Sequence, residues 1–256
     1  MTQDQLPESP RSVLTDLSGS PPKLDPDTMA LLDSFFKEKA EEERRFAEIA
    51  AERAALAAAR ADEMKPIISP EEFRLAFGEQ WQLSQFWYSD AFAERLASAL
   101  NGLCEPSTKI AFLCCPTAFV GFQHFHPHAN AMLMEYDERF AVLSPQQFVH
   151  YDLNEPDVFP EDLRESFDII VADPPYLNEK TNVKLKTTVD QIIKPATGKL
   201  VMITSTIVEK IIQNLYGESP IGHLKRTAIE VEHANQLGND FAVWGSWDGA
   251  EDFGKQ

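Results

Sequence analysis

Between residues 109 and 215, short apolar runs alternate with stretches of helical pattern, and this alternation decides what the chain can fold into. The runs occupy residues 109–114, 131–137, 147–153, 167–172 and 199–204. Each is too short for a buried helix, and Ile169-Ile170-Val171 has the β-branched enrichment of a buried strand. Helical stretches fall at 118–125, 178–194 and 205–215. Strands that alternate with helices pack as a parallel sheet covered on both faces, so the expected class is α/β. Such sheets bind ligands beyond the carboxyl ends of their strands. The residues that end each run therefore carry the functional information.

Three consecutive runs end in acids: Glu135 and Asp137, then Asp152, then Asp173. Carboxylates gathered along one sheet edge repel each other unless a ligand brings donors or positive charge. A nucleoside supplies ribose hydroxyls and an adenine amine, and a sulfonium supplies the charge. That combination describes S-adenosylmethionine. A nicotinamide dinucleotide would require a glycine-rich pyrophosphate turn after the first strand. The turn here is Cys114-Cys115-Pro116-Thr117, with no glycine. Glu135 aligns best with the ribose role; Asp137, two residues on, would point the same way along a strand.

The fourth run is cut off by Asp173-Pro174-Pro175-Tyr176. Proline has no N–H to donate to a ladder, so the strand stops and delivers Asp173 and Tyr176 to its carboxyl end. A carboxylate and a proline carbonyl can both accept hydrogen bonds from an amine, which aims the nitrogen lone pair. The Tyr ring offers a flat face to an adenine or a cation. A plain strand-ending turn uses the same residue types; the order of elements around these four residues favours a site. Asp-Pro-Pro-Tyr resembles the signature of amino-methyltransferases, which move a methyl group from S-adenosylmethionine to an amine nitrogen.

Upstream, Gln85-Phe86-Trp87-Tyr88-Ser89 precedes a helix capped by Ser89 or Asp90 and closed by Asn101-Gly102. Three consecutive aromatics cannot all face one core. With this segment included, residues 69–247 resemble the eukaryotic protein-lysine methyltransferases that modify translation elongation factor 1-alpha, a family once labelled N6-adenine DNA methyltransferases because of the same four residues. The resemblance implies a Rossmann-like, seven-stranded class I methyltransferase sheet, mostly parallel with an antiparallel C-terminal hairpin. Runs 225–232 and 240–244, joined through Leu237-Gly238-Asn239-Asp240, would form that hairpin. It implies an acceptor site of Asp173, Pro174, Pro175, Tyr176, Trp87 and Phe86. Cys114, Cys115, Pro116, Thr117, Glu135 or Asp137, Asp152 and Tyr88 would face the cofactor, with Asp152 accepting from the adenine amine. The implied substrate is a lysine of elongation factor 1-alpha. The same four residues have an alternative use in N6-methylation of adenine in DNA or RNA, with Tyr176 stacking on a flipped base.

Charge weighs against that alternative. The chain carries a net −18, and residues 66–256 hold 14 Lys and Arg against 27 Asp and Glu. A duplex binder needs several phosphate contacts, whereas an acidic protein suits a basic protein partner. Three cysteines make neither a disulfide framework nor a zinc site. His124, His126 and His128 are spaced by two, not by the three or four that one helix face needs, so no metal is expected. No apolar run reaches membrane-spanning length, and the first residues lack a signal-peptide pattern; a cytoplasmic monomer is the expectation. Residues 1–27, rich in Pro, Ser and Asp, are expected to be a disordered tail. Residues 28–65 should form a long charged, Ala-rich helix capped at Asp27-Thr28, and 66–256 the methyltransferase domain. Within that domain Ser69-Pro70-Glu71-Glu72 predicts a capping box.

Overall fold

The computed structural model describes residues 25–58, 67–217 and 219–255. Most of the expected N-terminal tail lies outside these residues. The helices are α1 (Pro26–Ala58), α2 (Pro70–Ala76), α3 (Asp90–Asn101), α4 (Pro116–Phe125), α5 (Glu179–Ile192) and α6 (Glu209–Gly217). The strands are β1 (Ile110–Leu113), β2 (Ala131–Glu135), β3 (Phe148–His150), β4 (Ile169–Ala172), β5 (Lys199–Ser205), β6 (Lys225–Arg226) and β7 (Phe241–Gly245).

All seven strands join one sheet in the order β3-β2-β1-β4-β5-β7-β6. β1 to β5 run parallel, and β7 is antiparallel to both β5 and β6. The expected mostly parallel sheet with antiparallel C-terminal strands is therefore present. The central strands β1, β4 and β5 are buried on both faces, which is why they read as unbroken apolar runs rather than alternating ones. On β1, Ile110 and Phe112 join the core beneath α3 and α4, with Phe92, Leu96, Phe119 and Phe122. Ala111 and Leu113 join the opposite core beneath α5 and α6, with Leu185, Val189, Ile212 and Tyr216. The period-two alternation of the strand thus feeds two separate cores.

Helix boundaries follow local chemistry. Ser69 Oγ accepts from Glu72 N at 3.1 Å while Glu72 Oε2 accepts from Ser69 N at 2.8 Å, closing the capping box of α2. Ser89, not Asp90, caps α3, with its Oγ accepting from Phe92 N at 3.1 Å. α1 starts two residues before the expected cap: Asp25 Oδ1 accepts from Thr28 N at 2.9 Å and Pro26 takes the first helical position. The expected hairpin is much shorter than its sequence runs. β6 pairs only Lys225 with Gly245 and Arg226 with Trp244. Thr227 N still donates to Val243 O, and by residues 232–234 the chain lies beside 87–89 instead.

The chain divides into two compact units after Ala40, inside α1. In the larger unit, the second half of α1 packs Phe46 and Ile49 on the core, and Phe46 meets Phe77 edge-on at 5.5 Å. Glu42 Oε1 accepts from Gly78 N at 2.7 Å. A Cβ at Gly78 would lie 2.8 Å from that oxygen, so any side chain there would push the Glu42 carboxylate aside. Along the helix itself Arg45 pairs with Glu41 and Arg44 with Glu48, each at 2.6 Å.

Candidate active site

A cavity of about 660 Å³ opens at the carboxyl edge of the sheet, where the strand order reverses between β1 and β4. It is lined by residues that follow the parallel strands: 114–117 after β1, Glu135 and Tyr136 at the end of β2, 151–154 after β3 and 173–178 after β4. Residues 83–88, His233, 237–239 and Phe241 line it as well. Every site residue expected from the sequence borders this cavity except Asp137.

Asp137 fails for a topological reason. β2 ends at Glu135, and the chain turns into a 3-10 helix at Glu138–Val142, so strand alternation stops before residue 137. The Asp137 carboxylate instead binds Arg139 at 2.7 Å, caps Arg139 N at 3.1 Å and accepts from Gln85 Nε2 at 3.1 Å. Glu135 keeps the strand-end position. Its Oε1 accepts from Tyr136 N and Asp137 N at 3.0 and 3.2 Å, while Oε2 has no partner among the described residues. Burial pushes its carboxyl up to about 7, against those two N–H groups.

Trp87 borders the cavity, yet most of its ring is taken up by the core. Its indole is 3% exposed, packs on Phe73 at 5.1 Å and donates to the Phe77 carbonyl at 2.7 Å. A large ring with one N–H is most stable where both needs are met inside, and here the core meets them. Phe86 is half-buried, with its ring 6.3 Å from the exposed ring of Trp81. Tyr88 is almost wholly buried, and its phenol donates to Asp173 Oδ2. It therefore reaches the Asp-Pro-Pro-Tyr end of the cavity, although it was expected to face the cofactor.

The four-residue motif continues the ladder for one more bond, Asp173 N to Leu113 O at 3.1 Å, before the prolines end it. Asp173 is half-buried, and burial pushes its carboxyl up to about 7 while the Tyr88 hydrogen bond pulls the other way. Tyr176 adopts a left-handed backbone with φ of +59°, and its phenol donates to the Gln82 carbonyl at 2.6 Å. That bond ties the motif to the 3-10 turn Trp81–Leu83. Ser84 and Cys114 also border the cavity with φ of +58°. A non-glycine residue held there costs on the order of 1–3 kcal/mol, so the surrounding structure must enforce it. Cys114 thus supplies the conformation that a glycine provides in glycine-rich turns. Cys115 Sγ lies 3.3 Å from the Val171 carbonyl. Burial pushes both thiols well up, which keeps them neutral.

The C-terminal wall carried no local signal in the sequence. Ser89 N donates to Glu232 O at 2.9 Å and Ala234 N to Trp87 O at 2.8 Å, which lays His233 against Tyr88. The His233 ring lies 5.5 Å from that of Tyr88 and 4.6 Å from that of Phe241. Burial pushes it down to about 4, so it is a neutral imidazole at physiological pH. The pairing joins segments far apart in sequence, which no periodicity reports. His124, His126 and His128 serve elsewhere; the His124 ring meets the Ile67 carbonyl at 3.1 Å. No cluster of potential metal ligands exists among the described residues.

Over residues 79–249 the sequence matches the family described as Probable N6-adenine methyltransferase. The chain belongs to this family. Among curated members, Protein-lysine N-methyltransferase M142.8 of Caenorhabditis elegans is 33% identical over 178 residues, 66% of this chain and 78% of that protein. EEF1A lysine methyltransferase 1 of Homo sapiens is 33% identical over 178 residues, covering 69% and 78%. Protein-lysine N-methyltransferase EFM5 of Saccharomyces cerevisiae is 30% identical over 193 residues, covering 70% and 76%. The branched-chain polyamine synthase of Thermus thermophilus, solved with N4-aminopropylspermidine and 5'-methylthioadenosine, shares the fold. It superposes with a TM-score of 0.52 at 13% identity, over 80% of this chain and 64% of that one.

This family member is a methyltransferase with S-adenosylmethionine as methyl donor, and its own cavity fits that molecule. The volume lies within the range of about 300–1,000 Å³ usual for such ligands. Glu135 Oε2 stands ready for ribose hydroxyls. The first turn of α4, which begins on the cavity at Pro116 and Thr117, leaves N–H groups without helical partners. Those suit a carboxylate.

Proposed function

We propose that the chain methylates the side-chain nitrogen of a lysine on translation elongation factor 1-alpha. The observation that carries this reading is Asp173 on the wall of a cavity that Phe86 also lines, in a family whose curated members above are named protein-lysine methyltransferases. When bound, S-adenosylmethionine supplies an electrophilic methyl group. Everything else falls to the protein. A lysine ammonium has no lone pair, so it must lose a proton before attack. Leu83, Phe86 and Pro174 border the cavity with apolar surface. Desolvation there disfavours the charged amine and lowers its pKa. Asp173 and the Pro174 carbonyl then accept the amine N–H bonds and fix the direction of the lone pair.

Methylation of adenine in nucleic acid is the weaker reading. The cavity wall offers few cations: Lys184 donates to Asn154 Oδ1 at 2.7 Å, and Lys180 is its neighbour on α5. A net charge of −18 opposes phosphate contacts. A translation factor as substrate also makes the cytoplasm the natural compartment. The direct test is methyl transfer from labelled cofactor to elongation factor 1-alpha, DNA and RNA in parallel. Label on the protein supports the proposal, and label on nucleic acid alone overturns it.

A further inference from the structure

Tyr88 is the one aromatic of the Phe86-Trp87-Tyr88 run whose polar atom reaches the motif. Its ring is buried, packed edge-on against Phe92 at 4.9 Å. Its phenol donates to Asp173 Oδ2, and Asp173 Oδ1 has no partner among the described residues. Both ends of the Tyr88 backbone are anchored. Residues 232–234 pair with 87–89 through two hydrogen bonds, and Arg74, itself bound to Asp90 at 2.5 and 2.8 Å, reaches the Tyr88 carbonyl at 3.4 Å.

We propose that Tyr88 is a positioning residue for the acceptor: its phenol occupies one oxygen of Asp173 and leaves the other as the single carboxylate acceptor for the substrate amine. A carboxylate with both oxygens free can rotate and accept in several geometries. Fixing one oxygen from a buried phenol removes that freedom before the substrate arrives, and orientation of this kind is a large part of enzymatic rate. The phenol cannot act as a base, because burial and the adjacent Asp173 push its ionisation well up. The inference rests on the methyl-transfer reading for its kinetic consequence, but not for its electrostatic one.

The titratable groups around the pair come from every wall. Cys114 and Cys115 follow β1, Glu135 ends β2, Asp152 follows β3, and His233 lies on the C-terminal wall. The thiols and the imidazole are neutral at physiological pH, Lys180 and Lys184 of α5 also border the cavity, and Glu135 is the acid whose carboxyl is itself raised by Asp173. Loss of the phenol therefore acts directly on Asp173, and on Glu135 only through it. The hydrogen bond favours the ionised carboxylate, so removing it must move the Asp173 titration to higher pH.

The test is Tyr88→Phe, which keeps the ring and its contact with Phe92. Asp173 is followed by carboxyl carbon-13 shifts in the protein without substrate, with Asp173→Asn identifying the signal. The expected result is a titration midpoint near neutral pH in the parent and a higher one in the variant. A midpoint that does not move overturns the proposal whatever the acceptor proves to be, because this readout needs no methyl transfer. With the acceptor present, kcat should fall about ten- to a hundredfold, the cost of losing a bond to a charged group. Calorimetric affinity for S-adenosylhomocysteine should stay unchanged. A lost affinity for that nucleoside would return Tyr88 to the cofactor side and overturn the assignment, as would an unaltered kcat.

Discussion

Asp173 and Glu135 are acids kept in places that resist their charge. Both titrate near 7 in the empty protein, against ordinary values of 3.8 and 4.5. Between those limits the folded chain holds more protons than the unfolded chain, so stability falls as pH rises through this window. The melting temperature of the empty enzyme should therefore decline from pH 5 to pH 8, and Asp173→Asn should flatten the decline. A parent curve that rises over this interval would contradict the burial argument. Glu135 must be ionised to accept from ribose hydroxyls, so affinity for S-adenosylhomocysteine should fall below about pH 7 and level off above it. Glu135→Gln should cost about ten- to a hundredfold in that affinity at pH 8, the price of a hydrogen bond to a charged group, and should remove most of the pH dependence. Both acids were legible in the sequence because each ends an apolar run. Asp137 was not separable from Glu135 there, since the run does not show where pairing stops and the 3-10 turn begins.

At the scale of elements, the parallel strands and α3 to α6 could be read from periodicity and caps, because each signal is local. The C-terminal run misled, since two residues of β6 look the same in sequence as a longer strand; what draws residues 229–234 away is pairing to Trp87 and Ser89. The turn Trp81–Leu83 raises a second issue. Trp81 is 74% exposed, its ring lies 6.3 Å from that of Phe86 on the cavity wall, and its neighbour Gln82 accepts from Tyr176. Large exposed aromatics beside a site are frequent anchors for protein partners. Trp81→Ala should raise KM for the protein acceptor severalfold and leave cofactor affinity unchanged, which calorimetry and steady-state kinetics can separate. The second half of α1 has a structural duty. Glu42→Ala strands the Gly78 N–H in a part-buried place and should cost about 1–3 kcal/mol in urea unfolding.

The whole molecule separates after Ala40, and residues from Glu41 onward hold both cores and the complete cavity. A chain beginning at Glu41 should melt within about 2 °C of the parent, since three acids at the new helix start suit its dipole. A much lower melting temperature would mean that residues 1–40 stabilise the sheet domain. Charge was the most legible global property and also the one that selects a basic protein over nucleic acid. No composition could reveal that Trp87 turns into the core, because that depends on Phe73, Phe77 and Phe140 converging from other elements. The central claim is that the Asp173 carboxylate directs a lysine nitrogen at the methyl donor. It is tested most directly by single-turnover transfer to elongation factor 1-alpha with the parent and with Asp173→Asn, each saturated with labelled cofactor. The account predicts label on a lysine with the parent and at least a hundredfold slower transfer with a variant that still binds S-adenosylhomocysteine; equal rates, or label that appears on DNA or RNA in place of the protein, would contradict it.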